Sequence, residues 1–350
     1  METTQYTLTE KLAKTDRRIK NLSYSSLLTL HSCPRKFQLY KLGAAEITDD
    51  GPEDSKSSVT FAVGHMLGTG IQNILSGDSV STAVFKAFLD WPIDLFAENR
   101  KDKKSFFHSI LALQQIEDLL QHSFLADYEL VYYEGKPACE LSFSIELPNG
   151  FHYRGSVDAV LVHKLTGKII VLELKSTKYT TISPSTYKNS AQAIGYSIVL
   201  DSIFPEISGY DVLYLVYSTV SQSYTPITFE KSYYQRALWI RELLLDVDTI
   251  SLYENADIYP MHGESCFSFF RNCEYLNTCT LSTEVLTEKL SHEALLKLEG
   301  EQETKWQIKV TLNDLITSQL TRESTQNVTS NSIAKPSSSS TPATTEDILL

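Results

Sequence analysis

No run of about 18 or more apolar residues occurs in this 350-residue chain, so nothing in it reads as a membrane-spanning helix. The N-terminus, Met1 to Gln5, lacks the apolar core of a secretory signal, and the expected location is the cytoplasm of the cell that makes the protein. Basic residues are in deficit. Thirty-one Lys and Arg stand against 43 Asp and Glu, a net charge of −12, which counts against a passive nucleic-acid coat but leaves room for an enzyme with a locally basic groove. There are five cysteines, and in a cytoplasmic chain thiols are free or metal-bound rather than paired. No internal repeat is visible. What is present, 42% hydrophobic and 21% charged residues, describes a globular protein long enough for one large or two modest domains.

The most informative stretch lies near the middle. Phe151 to Asp158 is β-prone and continues through Ala159 to Val162. A polar turn containing Gly167 follows, and then Ile169 to Leu172 leads into Glu173 and Lys175. Two apolar runs joined by such a turn predict a β-hairpin. Alternate residues of a strand share a face, so Glu173 and Lys175 project together, and the partner strand brings Asp158 beside them. Two carboxylates and an ammonium suit metal-assisted phosphodiester hydrolysis. The carboxylates would hold Mg²⁺, which activates water and neutralises developing charge, while the lysine positions the water or the phosphate. A solvated strand face with an ordinary Glu–Lys pair is the plainer alternative for these residues.

Tyr187 to Leu200 reads as a helix with Gln192 and Tyr196 one turn apart on one face. Gly155-x-x-Asp158, Glu173-x-Lys175 and Gln192-x-x-x-Tyr196, in that order, resemble the PD-(D/E)XK nuclease superfamily. The likeness is to its RecB-like exonuclease branch, which includes CRISPR-associated and phage exonucleases. The superfamily's proline is absent, with Val157 before Asp158. The resemblance implies a restriction-endonuclease-like α/β core, a mixed β-sheet flanked by helices. It implies catalytic roles for Asp158, Glu173 and Lys175. Metal ligation falls to Asp158, Glu173 and the Leu174 carbonyl, and DNA positioning to Gln192 and Tyr196. The cofactor would be Mg²⁺ or Mn²⁺, and the substrate DNA with free ends. A recombination or replication protein could be a partner, and the host cytoplasm would be the location if a phage encodes the chain.

Other segments extend the likeness. Ser23 or Ser25 caps a predicted helix that ends at Cys33-Pro34, and a second helix begins at Arg35, leaving Arg35, Lys36 and Lys41 available to phosphates. This Ser-x-Ser-x-Leu and Cys-Pro-Arg-Lys-Phe series resembles the RecB-like N-terminal signature. Phe61 to Leu75 predicts a helix whose glycines suggest close approach to another backbone or to substrate. The family carries Gly-x-x-x-His there, whereas here Gly68-x-x-x-Gln72 has glutamine. Either Gln72 serves as a weak oxygen ligand or His65 reaches in. Lys136 to Leu147 alternates as a strand, with Glu140 resembling the family's acidic residue on its first strand, or else a plain exposed charge.

Cys266, Cys273 and Cys279 form a C-x6-C-x5-C series. Several RecB-like exonucleases bind a 4Fe-4S cluster through one early and three late cysteines, so Cys33, Cys266, Cys273 and Cys279 are the implied ligands. A zinc site, or cysteines packed as small apolar side chains, are the alternatives. Cys139 is expected to be a buried free thiol. The expected organisation is a leader over 1–21, a nuclease domain over 22–282, an extension over 283–317, and a Ser/Thr-rich tail over 318–350 too polar to fold. The functional expectation is a metal-dependent DNA exonuclease of recombination, replication or repair. A catalytically silent module that binds DNA or a protein is the rival.

Overall fold

Serine 23 begins the helical part of the fold, in a computed structural model that describes residues 19–42, 59–92, 95, 105–204, 210–268, 271–282, 285–286 and 306–317. Most of the expected leader, residues 43–58, residues 287–305 of the expected extension and the tail from 318 lie outside the described residues. Strand β1 (Asn21–Leu22) precedes α1 (Tyr24–Ser32), where the Ser23 side chain accepts from the Ser26 amide and the Ser26 side chain reaches back to Ser23. This reciprocal cap satisfies two amides at the start of the helix that otherwise have no partner. Cys33 caps α1 in an extended conformation and Pro34 opens α2 (Pro34–Leu42), because proline disfavours a helical residue before it and suits a first turn.

Three helices follow: α3 (Val59–Leu75), α4 (Val80–Leu89) and α5 (Phe106–His122). The glycines of α3 have a plain packing use at Gly70. A Cβ there would lie 2.5 Å from the Leu113 methyls, so the close neighbour is a side chain of α5 and not a backbone.

The sheet comes next. After the short strands β2 (Tyr128–Leu130), β3 (Tyr132–Tyr133) and β4 (Lys136–Pro137) come β5 (Cys139–Glu146), β6 (His152–His163) and β7 (Ile169–Thr177). The predicted single helix before Leu200 is two helices, α6 (Ser185–Lys188) and α7 (Ala191–Asp201), interrupted at Asn189 and Ser190. Then β8 (Tyr210–Ser218), β9 (Ser223–Glu230) and the long α8 (Tyr233–Ala256) complete the central part. A small hairpin, β10 (Phe267–Ser268) with β11 (Arg271–Asn272), and β12 (Ile308–Thr311) close the described chain.

The eight-stranded mixed sheet runs β12-β5-β6-β7-β8-β9, with β1 and β2 also paired to β6. Strand β6 lies antiparallel to both β5 and β7, β8 lies parallel to β7, and β12 lies parallel to β5. A parallel neighbour demands a crossover, which α6 and α7 supply between β7 and β8. Strand β12 comes from the stretch expected to be an extension, and it buries Ile308 and Val310 in the sheet's core. No helix among the described residues is long and apolar enough to cross a membrane.

Two cores lie on the two faces of the sheet. One joins Val171, Val212 and Val216 to Ile198 of α7 and to Trp239 and Leu243 of α8. The other joins Leu172, Leu213 and Leu215 to Val63 and Leu67 of α3 and Leu113 and Ile116 of α5. Strict alternation explains this on β7 and β8. It breaks on β5 and β6. Leu141 and Val157 belong to the first core, while Cys139 and Ala159, only two residues away on each strand, pack against the second. Between them, Glu140 has φ +48°, a left-handed conformation uncommon for a non-glycine residue.

Candidate active site

The break in alternation is where the acidic residues gather. Ala159 pairs with Leu172, so Asp158 and Glu173 are the next residues along β6 and β7. Asp158 Oδ2 accepts the Leu174 amide at 2.9 Å, which ties the first carboxylate to the strand carrying the second. Glu173 is 1% exposed. Its Oε1 accepts from Lys175 Nζ at 2.5 Å, as expected for i and i+2 on one face.

Lys175 Nζ also donates to Gln192 Oε1 at 3.1 Å, and Gln192 Nε2 donates to the Tyr196 hydroxyl at 2.7 Å. The hairpin and the crossover helix are therefore joined in one hydrogen-bonded chain, Glu173–Lys175–Gln192–Tyr196. Beneath it, Tyr196 packs edge-on against Phe143 with ring centroids 5.9 Å apart. Phe143 occupies the space over Gly155, where a Cβ would lie 2.7 Å from the ring. The glycine three residues before Asp158 thus serves the site through two aromatic rings.

Burial dominates the electrostatics. It raises the Asp158 pKa to about 6, with the Leu174 amide and Lys175 opposing and Glu140 reinforcing. Burial, then repulsion from Asp158, raises Glu173 to about 7 against the pull of Lys175. Burial would lower the Lys175 ammonium, but the Glu173 and Asp158 carboxylates outweigh it and its pKa stands above the ordinary lysine value. The site therefore concentrates negative charge that the apo fold holds at a cost.

That charge fits a hard divalent cation. The donors at hand are carboxylate oxygens, and Glu173 Oε2 is buried with no hydrogen-bond partner among the described residues. No cluster of three or more His, Cys, Asp or Glu side chains poised for a metal occurs among the described residues. A cation at Asp158 and Glu173 would complete its shell from backbone and water, as Mg²⁺ commonly does.

Of the α3 candidates, Gln72 is drawn in and His65 is not. Gln72 Nε2 donates to Glu140 Oε1 at 2.7 Å, and Ser156 Oγ donates to Glu140 Oε2 at 2.6 Å. Glu140 is thus gripped from two sides next to Asp158, where it raises the proton affinity of both site carboxylates. His65 is exposed and stacks on Phe61, with centroids 6.4 Å apart. The structure does not bring His65 to the carboxylates as it does Gln72: seven residues put the two on the same side of α3 but about 10 Å apart along the axis. Ser156 was missed by sequence reasoning. A serine two residues before an aspartate carries no signal until the register with β5 is known.

The four candidate cluster cysteines do come together, around a separate cavity. Cys33, Cys266, Cys273 and Cys279 line it with Leu39 and Tyr275. All are free thiols. Thiols are the donors an iron–sulfur cluster or zinc requires, yet their sulfurs do not form a ligand group, so a bound metal is not supported by their present arrangement. What holds this region is Arg35, which is buried and unavailable to phosphates. Its guanidinium donates to the Cys279 and Leu281 carbonyls and to Gln38. Burial pushes the Cys279 thiol up and Arg35 pulls it back. The His262 ring and the Ser265 hydroxyl both meet the Ser32 carbonyl, at 2.9 and 2.7 Å. Cys139, partly rather than fully buried, is pushed up to about 11 by its surroundings.

The mixed sheet thus carries Asp158, Glu173 and Lys175 together, with the crossover helix supporting the lysine. The family model of the PD-(D/E)XK nuclease superfamily matches residues 21–280, and the chain belongs to that superfamily. Its restriction-endonuclease-like mixed sheet flanked by helices is the fold expected from the motifs. Among solved structures, a candidate exonuclease from Eubacterium rectale is similar at 12% identity, covering 75% of this chain and 91% of its own, with a TM-score of 0.44. A second, SSO0001, is similar at 15% identity over 79% and 94% of the respective chains, with a TM-score of 0.30. A search of curated proteins yields no match.

Proposed function

We propose that this chain is a Mg²⁺- or Mn²⁺-dependent deoxyribonuclease of the RecB-like branch that removes nucleotides from free DNA ends. The observation that carries the reading is the Glu173–Lys175–Gln192–Tyr196 chain beside Asp158, with an unpartnered carboxylate oxygen on Glu173. Nothing in a structural ion pair requires that oxygen to stay buried and unsatisfied, since such a group is destabilising unless a ligand uses it.

Asp158, Glu173 and the Leu174 carbonyl would hold the cation. When bound, it lowers the pKa of attacking water and screens charge on the phosphate. The protein's own part is positional. Lys175, fixed between Glu173 and Gln192, keeps one ammonium proton for water or a phosphate oxygen, and Gln192 with Tyr196 sets its angle toward the DNA strand. End-specific action and a place in phage-type recombination, replication or repair in the cytoplasm follow the RecB-like resemblance. A DNA-bound recombination or replication protein is the partner that reading brings with it. The assignment of Cys33, Cys266, Cys273 and Cys279, which line one cavity, to a 4Fe-4S cluster rests on the same resemblance alone. Iron and sulfide analysis of anaerobically purified protein decides it, and zinc or no metal rejects it.

The test of activity is digestion of end-labelled linear single- and double-stranded DNA beside a closed circle, with Mg²⁺ or Mn²⁺. Loss from ends alone, abolished by Lys175→Ala, is the expected result. Cutting of the circle rejects end specificity. No cleavage by wild type with either metal selects the silent DNA- or protein-binding module, the reading to which the Gln72-for-His replacement also belongs.

A further inference from the structure

Helix α8 is apolar on both sides. Its inner face buries Trp239, Ile240, Leu243, Val247 and Ile250 in the first core. On the opposite face Leu238, Leu245 and Leu252 are 39%, 64% and 64% exposed, and Tyr234 prolongs the row. An amphipathic surface helix places polar residues there. Three leucines at intervals of seven residues instead make a stripe that drifts by only about 20° per repeat along the helix. At about 1.5 Å per residue the 24-residue helix is about 36 Å long, so the stripe runs most of its length.

The flanking charges say what covers it. A two-fold axis through Leu245, perpendicular to α8, sets a second copy antiparallel and keeps each side of the stripe facing the same side of its partner. Leu238 then meets Leu252. At about 100° per residue, Arg241 and Asp248 both lie on one side of Leu245, about 40° and 60° from it, and so come opposite each other across the axis. Glu242 lies on the other side and comes opposite Thr249. Arg241, Glu242 and Asp248 are all exposed. We propose that the outer face of α8 is a self-association surface on which two copies of this chain pair antiparallel about Leu245.

An isologous surface uses every residue twice, so single changes act twofold. Sedimentation velocity on the full chain from about 1 to 100 μM tests the proposal. Wild type is expected to pass from 39.5 kDa to twice that mass. Leu245→Glu, at an exposed position that leaves the core untouched, is expected to weaken dimerisation roughly 30-fold or more. Arg241→Asp should weaken it about threefold, and the double change Arg241→Asp with Asp248→Arg should restore it. Circular dichroism confirms that each variant is folded. A wild-type monomer across the whole range overturns the proposal, as does a dimer indifferent to Leu245→Glu. A dimer weakened by Leu245→Glu and by Arg241→Asp, but not restored from the second loss by the double change, overturns the antiparallel pairing.

Discussion

The acidic site and the cysteine cavity are both built from residues that the chain brings together, but they are held in different ways. Around Asp158 and Glu173 the functional groups hold one another: amide to carboxylate, ammonium to carboxylate, ammonium to amide, amide to hydroxyl. Around Cys33 and Cys279 the backbone does the holding, through Arg35 on two carbonyls and two further contacts on the Ser32 carbonyl, while the sulfurs make no ligand group. The first arrangement arises from neighbouring strands and one crossover, at separations of 2 to 17 residues. The second closes loops of about 230 to 246 residues. Local register makes a preorganised reaction centre; long-range closure makes a clasp. Changes in the first region should therefore remove chemistry and spare the fold, and changes in the second should do the reverse.

The sharpest test of that contrast is Lys175→Ala. Losing the one ammonium in the chain is expected to reduce DNA cleavage by about 10³-fold or more, with the unfolding midpoint close to wild type, read by end-label digestion and thermal melting together. Arg35→Ala is the converse. It strips several charge-assisted contacts to carbonyls, and about 2–3 kcal/mol of stability should be lost in denaturant titration, while the turnover of folded protein stays within a few-fold. An Arg35→Ala protein that lost activity without stability would dissolve the distinction.

Gly155→Ala sits between the two regions in effect. The added methyl must displace Phe143, at a cost of about 1–3 kcal/mol, and through Tyr196 it should also lower cleavage more than stability alone explains. A smaller effect concerns pH. Because the folded-state pKa values of Asp158 and Glu173 are raised above their ordinary values of 3.8 and 4.5, the metal-free fold binds protons more tightly than the unfolded chain. Its stability is expected to fall as pH rises from about 4 to about 7. In chelator, Glu173→Gln should flatten that decline and raise the melting midpoint at pH 8 by about 2 °C or more. Mg²⁺ titrated into wild type should do the same.

The hairpin, Asp158, Glu173, Lys175, Gln192 and Tyr196 were readable because they lie on regular elements with simple periods: two along a strand, four along a helix. The helix break at Asn189 and Ser190 was not, since neither residue is a strong helix breaker and the capping geometry is tertiary. Arg35 looked like a phosphate ligand because a lone basic residue after a proline says nothing about which carbonyls will surround it. Gln72 and Glu140 became a pair only through the approach of α3 to β5, and that same geometry left His65 outside. Strand β12 lies far along the chain from β5, so its partner could not be inferred.

The left-handed residue at Glu140 has a consequence for how the protein folds. In most hairpins a slip of one residue costs a face, and a slip of two restores the pattern with little loss. Here β5 and β6 each change faces at one position, between Cys139 and Leu141 and between Val157 and Ala159. A slip of two would carry one strand's changeover past the other's and leave apolar side chains against the wrong core on either side. The carboxylates of the reaction centre therefore mark a registration notch, and the sheet can zip up in only one alignment.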